Sequence, residues 1–149
     1  AVSGTRSYGF EAELSGYITP RWRIGAGLTR TKVERNASDL IYANFPEYLM
    51  QLSTDYQFSG ALAPLSLGGS LQWQTKIEGF NIPHPLLGTV TVTDPPYALL
   101  NLRATWRFND RLSATLALNN VTNKKYWANL DYANYGDPRN VMLTVRAKF

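Results

Sequence analysis

Apolar and polar side chains alternate along most of this chain. At its end Val141, Leu143, Val145, Ala147 and Phe149 share one parity, while Asn140, Thr144, Arg146 and Lys148 take the other and Met142 is the one break. A period of two is the mark of a β-strand with one apolar and one polar face. It recurs at Tyr8, Phe10, Ala12, Leu14 and Ile18, set against Ser7, Glu11, Glu13 and Ser15. After "TPR" it runs through Trp22, Ile24, Ala26 and Leu28, against Arg23, Gly25, Gly27 and Thr29. A third segment sets Tyr48, Met50, Leu52, Tyr56 and Phe58 against Glu47, Gln51, Ser53, Asp55 and Gln57, with Leu49 out of phase. In a fourth, Leu67, Leu71, Trp73 and Ile77 oppose Ser70, Gln72, Gln74, Lys76 and Glu78. A fifth carries Leu100, Leu102, Ala104, Trp106 and Phe108 against Asn101, Arg103, Thr105 and Arg107. There Asn109-Asp110 predicts a tight hairpin turn into a sixth, with Leu112, Ala114, Leu116 and Leu118 on its apolar face. The closing stretch is the seventh, and no segment shows a helical period.

Alternation alone fits a soluble sandwich as well as a membrane barrel, since both wet one face of each strand. Three features favour the barrel. The segments run to about ten residues, against about 5–6 for strands of soluble proteins and about 9–11 for membrane-spanning ones. Connections alternate between short ("TPR", "SGALAPL", "ND") and long ("ERNASDLIYANFP", "GFNIPHPLLGTVTVTDPP", "VTNKKYWANLDYANYGDP"), as periplasmic turns and extracellular loops do. Finally, the aromatics fall at two depths. Trp22, Tyr56, Phe58, Trp106, Phe108 and Phe149 lie at the short-turn ends, as membrane-interface anchors, and Tyr8 and Tyr48 at the other. Strand charges take the polar parity except Arg30, which sits near a strand end where it can snorkel to the headgroups.

Composition narrows the chemistry. Among 149 residues there is no cysteine, which removes disulfides, thiolate metal sites and thiol nucleophiles. No apolar run approaches the roughly 20 residues of a membrane-spanning helix. The net charge of +4 comes from scattered residues, without the basic patches of a nucleic-acid binder. Seven strands are an odd count where single-chain bacterial barrels are even, and a descending last strand makes the first descend too. The expectation is therefore an all-β, transmembrane antiparallel up-and-down barrel, of which residues 1–149 supply the C-terminal strands.

The stretch "YALLNLRATWRFNDRLSATLALNNVTNKKYW" followed by "YGDPRNVMLTVRAKF" resembles the closing strands of TonB-dependent outer-membrane siderophore receptors. The match rests on Leu118, Asn119, Asn120, Val121, Asn123, Lys124, Lys125 and Tyr126, then Gly136, Pro138, Arg139 and Asn140, with Val121-Thr122 and Asn123 departing mildly from the family pattern. Within that family "GSLQWQTKI" and "PYALLNLRATW" look most like ferric coprogen and pyoverdine receptors. The resemblance implies a barrel of about 22 strands in the bacterial outer membrane. It also implies a plug, a TonB box for energy coupling, and a C-terminal aromatic read by the outer-membrane assembly machinery. Neither plug nor TonB box lies in these residues. The implied partners are a ferric siderophore, membrane lipid, the TonB system through the plug, and the assembly machinery. Iron travels as the siderophore complex, so no cofactor and no enzymatic activity are expected. A soluble ligand-binding β-barrel or sandwich, and a small outer-membrane barrel enzyme, are the alternatives.

A siderophore brings its own iron ligands, so its receptor needs shape, aromatic surface and a few donors. The candidates are Tyr42, Phe45, Phe80, His84, Trp127, Tyr132 and Tyr135, all at long-loop ends, where exposed aromatics point to binding. Singly, such residues also serve to pack loops or line the outer girdle. His84 has no second histidine, cysteine or carboxylate cluster with which to hold a metal, and no patterned nucleophile to serve as a base.

Overall fold

The computed structural model describes residues 5–35, 45–77, 81–84, 86–91, 93–129 and 134–149. The strands are β1 (Thr5–Thr19), β2 (Trp22–Arg35), β3 (Tyr48–Gln57), β4 (Leu65–Gln74), β5 (Asn81–His84), β6 (Gly88–Thr91), β7 (Tyr97–Arg107), β8 (Leu112–Asn119), β9 (Trp127–Asn129), β10 (Asn134–Tyr135) and β11 (Asn140–Ala147). Seven of them form one sheet in the order β1-β2-β3-β4-β7-β8-β11, and every neighbour runs antiparallel. These are the seven alternating segments. Two small hairpins, β5-β6 and β9-β10, stand in the long connections, where no period of two announced them.

The register places like parity beside like. Leu28 pairs with Met50, Leu52 with Leu71, and Leu71 with Leu100. Farther along, Leu102 pairs with Leu118 and Leu116 with Leu143, so one face is a continuous apolar surface. A soluble sandwich would bury that face against a second layer. Here Leu14 and Leu143 are each 66% exposed, and Ile77 and Tyr97 are the buried hydrophobic residues among those described. The other face carries Glu13, Gln51, Ser53, Ser70, Gln72 and Asn101 around a polar depression, as the wet side of a large barrel does. In this chain β1 and β11 are the two ends of the sheet, and the barrel is not closed.

Two expectations need correction. The Asn109-Asp110 connection is not a two-residue hairpin, because β7 ends at Arg107 and β8 begins at Leu112. The Asn109 side chain closes the wider turn, its Oδ1 accepting from the amides of Arg111 at 2.8 Å and Leu112 at 2.9 Å. Arg30 is also not alone among charges on the apolar parity. β1 and β2 run past the apolar segment, to Thr5 and Arg35, and this brings Arg6 and Lys32 onto that parity beyond Tyr8 and Leu28. Strands outlast the hydrocarbon they cross, and their ends answer to the headgroup region.

Candidate functional site

The short-turn end gathers most of the anticipated anchors. Trp22 pairs with Tyr56 in the ladder, Tyr56 meets Phe58 edge to face at 5.0 Å, and Trp106 pairs with Leu65. The Trp22 indole donates to Thr54 Oγ1 at 2.8 Å, so its polar edge is satisfied while its ring lies 39% exposed. Phe108 and Phe149 are exposed at the same end of β7 and β11.

The long-loop end is built on a side-chain clasp below the last connection. Asn120 is 4% exposed and holds a left-handed backbone, with φ at 48°. Its Nδ2 donates to the carbonyls of Lys124 at 2.8 Å and Asp137 at 3.0 Å, and its Oδ1 accepts from the Lys124 amide at 2.8 Å. The Asn120 amide in turn donates to Asn101 Oδ1 at 2.9 Å, which ties the clasp to β7. Asn123, at φ 50°, accepts the Arg139 amide at 3.0 Å. One buried asparagine thus satisfies backbone groups on both limbs of the loop, which an apolar side chain there would leave orphaned. Tyr126 packs against Tyr97 at 4.9 Å, and its carbonyl accepts the Gly136 amide at 2.9 Å.

On this base β9 and β10 present Trp127 and Tyr135 as a stacked pair, with ring centroids 4.1 Å apart and planes inclined by 16°. Tyr135 is 66% exposed. Phe45, 40% exposed, lines a separate depression of 590 Å³ with Tyr48, Trp73, Lys32 and Pro96. The structure therefore brings together two of the anticipated binding residues and keeps Phe45 apart. His84 ends β5 opposite Gly88; Tyr42, Phe80 and Tyr132 lie outside the described residues.

Beneath the loops sits a group that the sequence pattern did not mark. Asp94 pairs with Ile77 through reciprocal backbone hydrogen bonds of 2.9 and 3.1 Å and is only 1% exposed. Neither carboxylate oxygen makes a hydrogen bond among the described residues. Burial raises its pKa above the ordinary 3.8, although the nearby Trp127 amide and the Lys124 charge pull the other way. In the sequence it is a single acid between Thr93 and Pro95, and nothing beside it marks it as buried.

The profile of the family described as TonB dependent receptor-like, beta-barrel, matches residues 1–121. The ferripyoverdine receptor of Pseudomonas aeruginosa is 34% identical over 147 residues, which is 97% of this chain and 18% of that protein. The ferric-pyoverdine 358 receptor of Pseudomonas putida is 32% identical over 151 residues, 100% of this chain and 18% of its own length. The crystal structure of the outer-membrane ferripyoverdine receptor of P. aeruginosa bound to ferripyoverdine superposes with a TM-score of 0.84 at 33% identity, over 97% of this chain and 20% of that one. The chain thus spans about a fifth of the relatives it matches.

Proposed function

Because the chain belongs to the TonB-dependent receptor-like β-barrel family, whose place is the bacterial outer membrane, we propose that it forms part of a receptor that takes up ferric siderophores of the pyoverdine class. Energy for uptake comes from TonB through a plug, and the sheet supplies one sector of the barrel wall. The observation that carries the ligand reading is the stacked Trp127–Tyr135 pair, raised at the long-loop end on the Asn120 clasp. A paired aromatic platform offers flat apolar surface and polar edges to a planar ring of the ligand, without competing for its iron. Iron is cargo here, held by the siderophore. Two relatives named for pyoverdine, at 34% and 32% identity, favour that class over catecholates.

Binding of ferric pyoverdine to the full-length receptor in outer membranes tests this reading. Replacing Trp127 and Tyr135 together by alanine should weaken binding at least tenfold while the receptor still runs as a folded, heat-modifiable species. Unchanged affinity in a folded double variant would remove the pair from the site.

A further inference from the structure

The ladder between β4 and β7 continues past both strands. Ile77 and Asp94 pair at the same register as Gln74 and Tyr97, three rungs farther out, through reciprocal backbone hydrogen bonds of 2.9 and 3.1 Å. The backbone of Asp94 is therefore fixed to the barrel wall, while the groups that act on its carboxyl belong to the next long connection. They are the Trp127 amide, at the start of β9, and the charge of Lys124, whose own amide lies in the Asn120 clasp. The Tyr97 phenol flanks Asp94 from β7, with the Tyr126 ring behind it. Lys76, beside Ile77, lines the depression of Phe45 and Trp73. These are the titratable neighbours of Asp94 among the described residues.

Trp127 is one half of the stacked pair. Two side chains tie its strand to the sheet. Asn120 grips Lys124 and Asp137 on either side of the β9-β10 hairpin, and all of its hydrogen bonds are made. Asp94 lies under Trp127 itself, 1% exposed, and neither of its carboxylate oxygens completes a hydrogen bond among the described residues. A carboxyl in that setting is costly as an anion and far less so as a neutral acid.

We propose that Asp94 is a positioning residue for the aromatic platform: its carboxyl group, fixed to the wall by the Ile77 bridge, seats the Trp127 amide and so sets where the stacked rings stand. The seat works in the acid form, because a neutral carboxyl still accepts from the amide through its carbonyl oxygen and brings no charge into a dry site. The anion draws water under β9 and loosens it. The seated platform is therefore favoured below the raised pKa of Asp94 and is lost as pH rises through it. Asp94 acts on binding through Trp127, so its effect on the ligand rests on the reading of Trp127 and Tyr135 as the ligand-facing pair.

Hydrogen exchange at the Trp127 amide of the ligand-free, full-length receptor, corrected for the intrinsic rate at each pH, reads the seat directly. Wild type should lose at least fivefold of its protection between pH 4 and pH 8. Asp94→Asn, an uncharged acceptor of the same shape, should hold the pH 4 level throughout, and Asp94→Leu should lie at least tenfold below it. Binding of ferric pyoverdine should follow the same order, with the Asp94→Asn curve removing the ligand's own titration. Wild-type protection as flat as that of Asp94→Asn, or full protection in a folded Asp94→Leu receptor, would overturn the proposal. Should Asp94→Leu not fold, the pH comparison of wild type with Asp94→Asn decides alone. Failure of the platform reading looks different: the double alanine variant of Trp127 and Tyr135 keeps its affinity for ferric pyoverdine, while protection of the Trp127 amide in wild type and Asp94→Asn still decides the role of Asp94.

Discussion

Asp55 and Arg103 meet across an intervening strand, directly above Gly68. The Arg103 Nε lies 3.2 Å from Asp55 Oδ1, and the ladder places Asp55, Gly68 and Arg103 on one rung of β3, β4 and β7. A β-carbon on Gly68 would run into both side chains. Glycine is needed there for space, since it opens a path for the pair over β4. The pair itself is half exposed on the wet face, where such bridges contribute about 0–1 kcal/mol. Asp55→Asn should therefore change stability little, whereas Gly68→Val, which overpacks the rung and parts the ions, should cost about 1–3 kcal/mol. Urea unfolding of the full-length receptor compares the two, and an equal effect would place the cost in the charges.

The clasp predicts a local failure. Asn120→Ala removes three hydrogen bonds to backbone groups and asks alanine to hold φ at 48°. The sum should be about 2–4 kcal/mol, concentrated in the last long loop. Hydrogen exchange should show Lys124, Trp127 and Arg139 losing protection while Leu116 and Thr144 keep theirs. Gly136→Ala should resemble it, because any side chain on Gly136 overlaps the Tyr126 ring.

The sheet was legible in the chain because each residue of a barrel strand sees either hydrocarbon or water, and a period of two records that directly. Leu116 and Leu143, far apart in sequence, could be placed on one face before any register was known. The strand ends were harder to read. Lys32 and Arg6 continue the backbone of β2 and β1 but leave the hydrocarbon, so the apolar pattern stops before the hydrogen bonds do. The site was legible only in part. Trp127 and Tyr135 stood out as loop aromatics, but their stacking depends on a loop conformation set by Asn120 and Asn123, whose role is to satisfy backbone groups remote in sequence. Asp94 could not be found by pattern, because nothing local shows that a loop acid is buried.

Asp94 makes stability depend on pH. Burial raises its pKa, so the folded state binds this proton more tightly than the unfolded chain, whose value is near 3.8. Its contribution to stability is greatest below that value and is lost as pH rises through the raised one. Asp94→Asn should therefore raise the unfolding temperature at pH 7 to 8 and flatten the decline above pH 4. Thermal unfolding of both receptors at intervals from pH 4 to 8 checks this, and a variant less stable at pH 8 would show that the charged form is the one stabilised.

Alternate residues of each strand face lipid and lumen, and β11 tests this most directly. Leu143 lies on the apolar face beside Leu116, and its neighbour Thr144 lies opposite Thr115 on the polar one. An arginine facing lipid near the midplane costs about 2–4 kcal/mol, while one facing the lumen joins Arg146 in water. The measurement is heat-modifiable folding of the full-length receptor in outer membranes, for Leu143→Arg and Thr144→Arg side by side. Thr144→Arg should fold nearly as wild type and Leu143→Arg should lose most of its folded species; equal folding of the two, or the reverse order, would contradict this assignment of the faces.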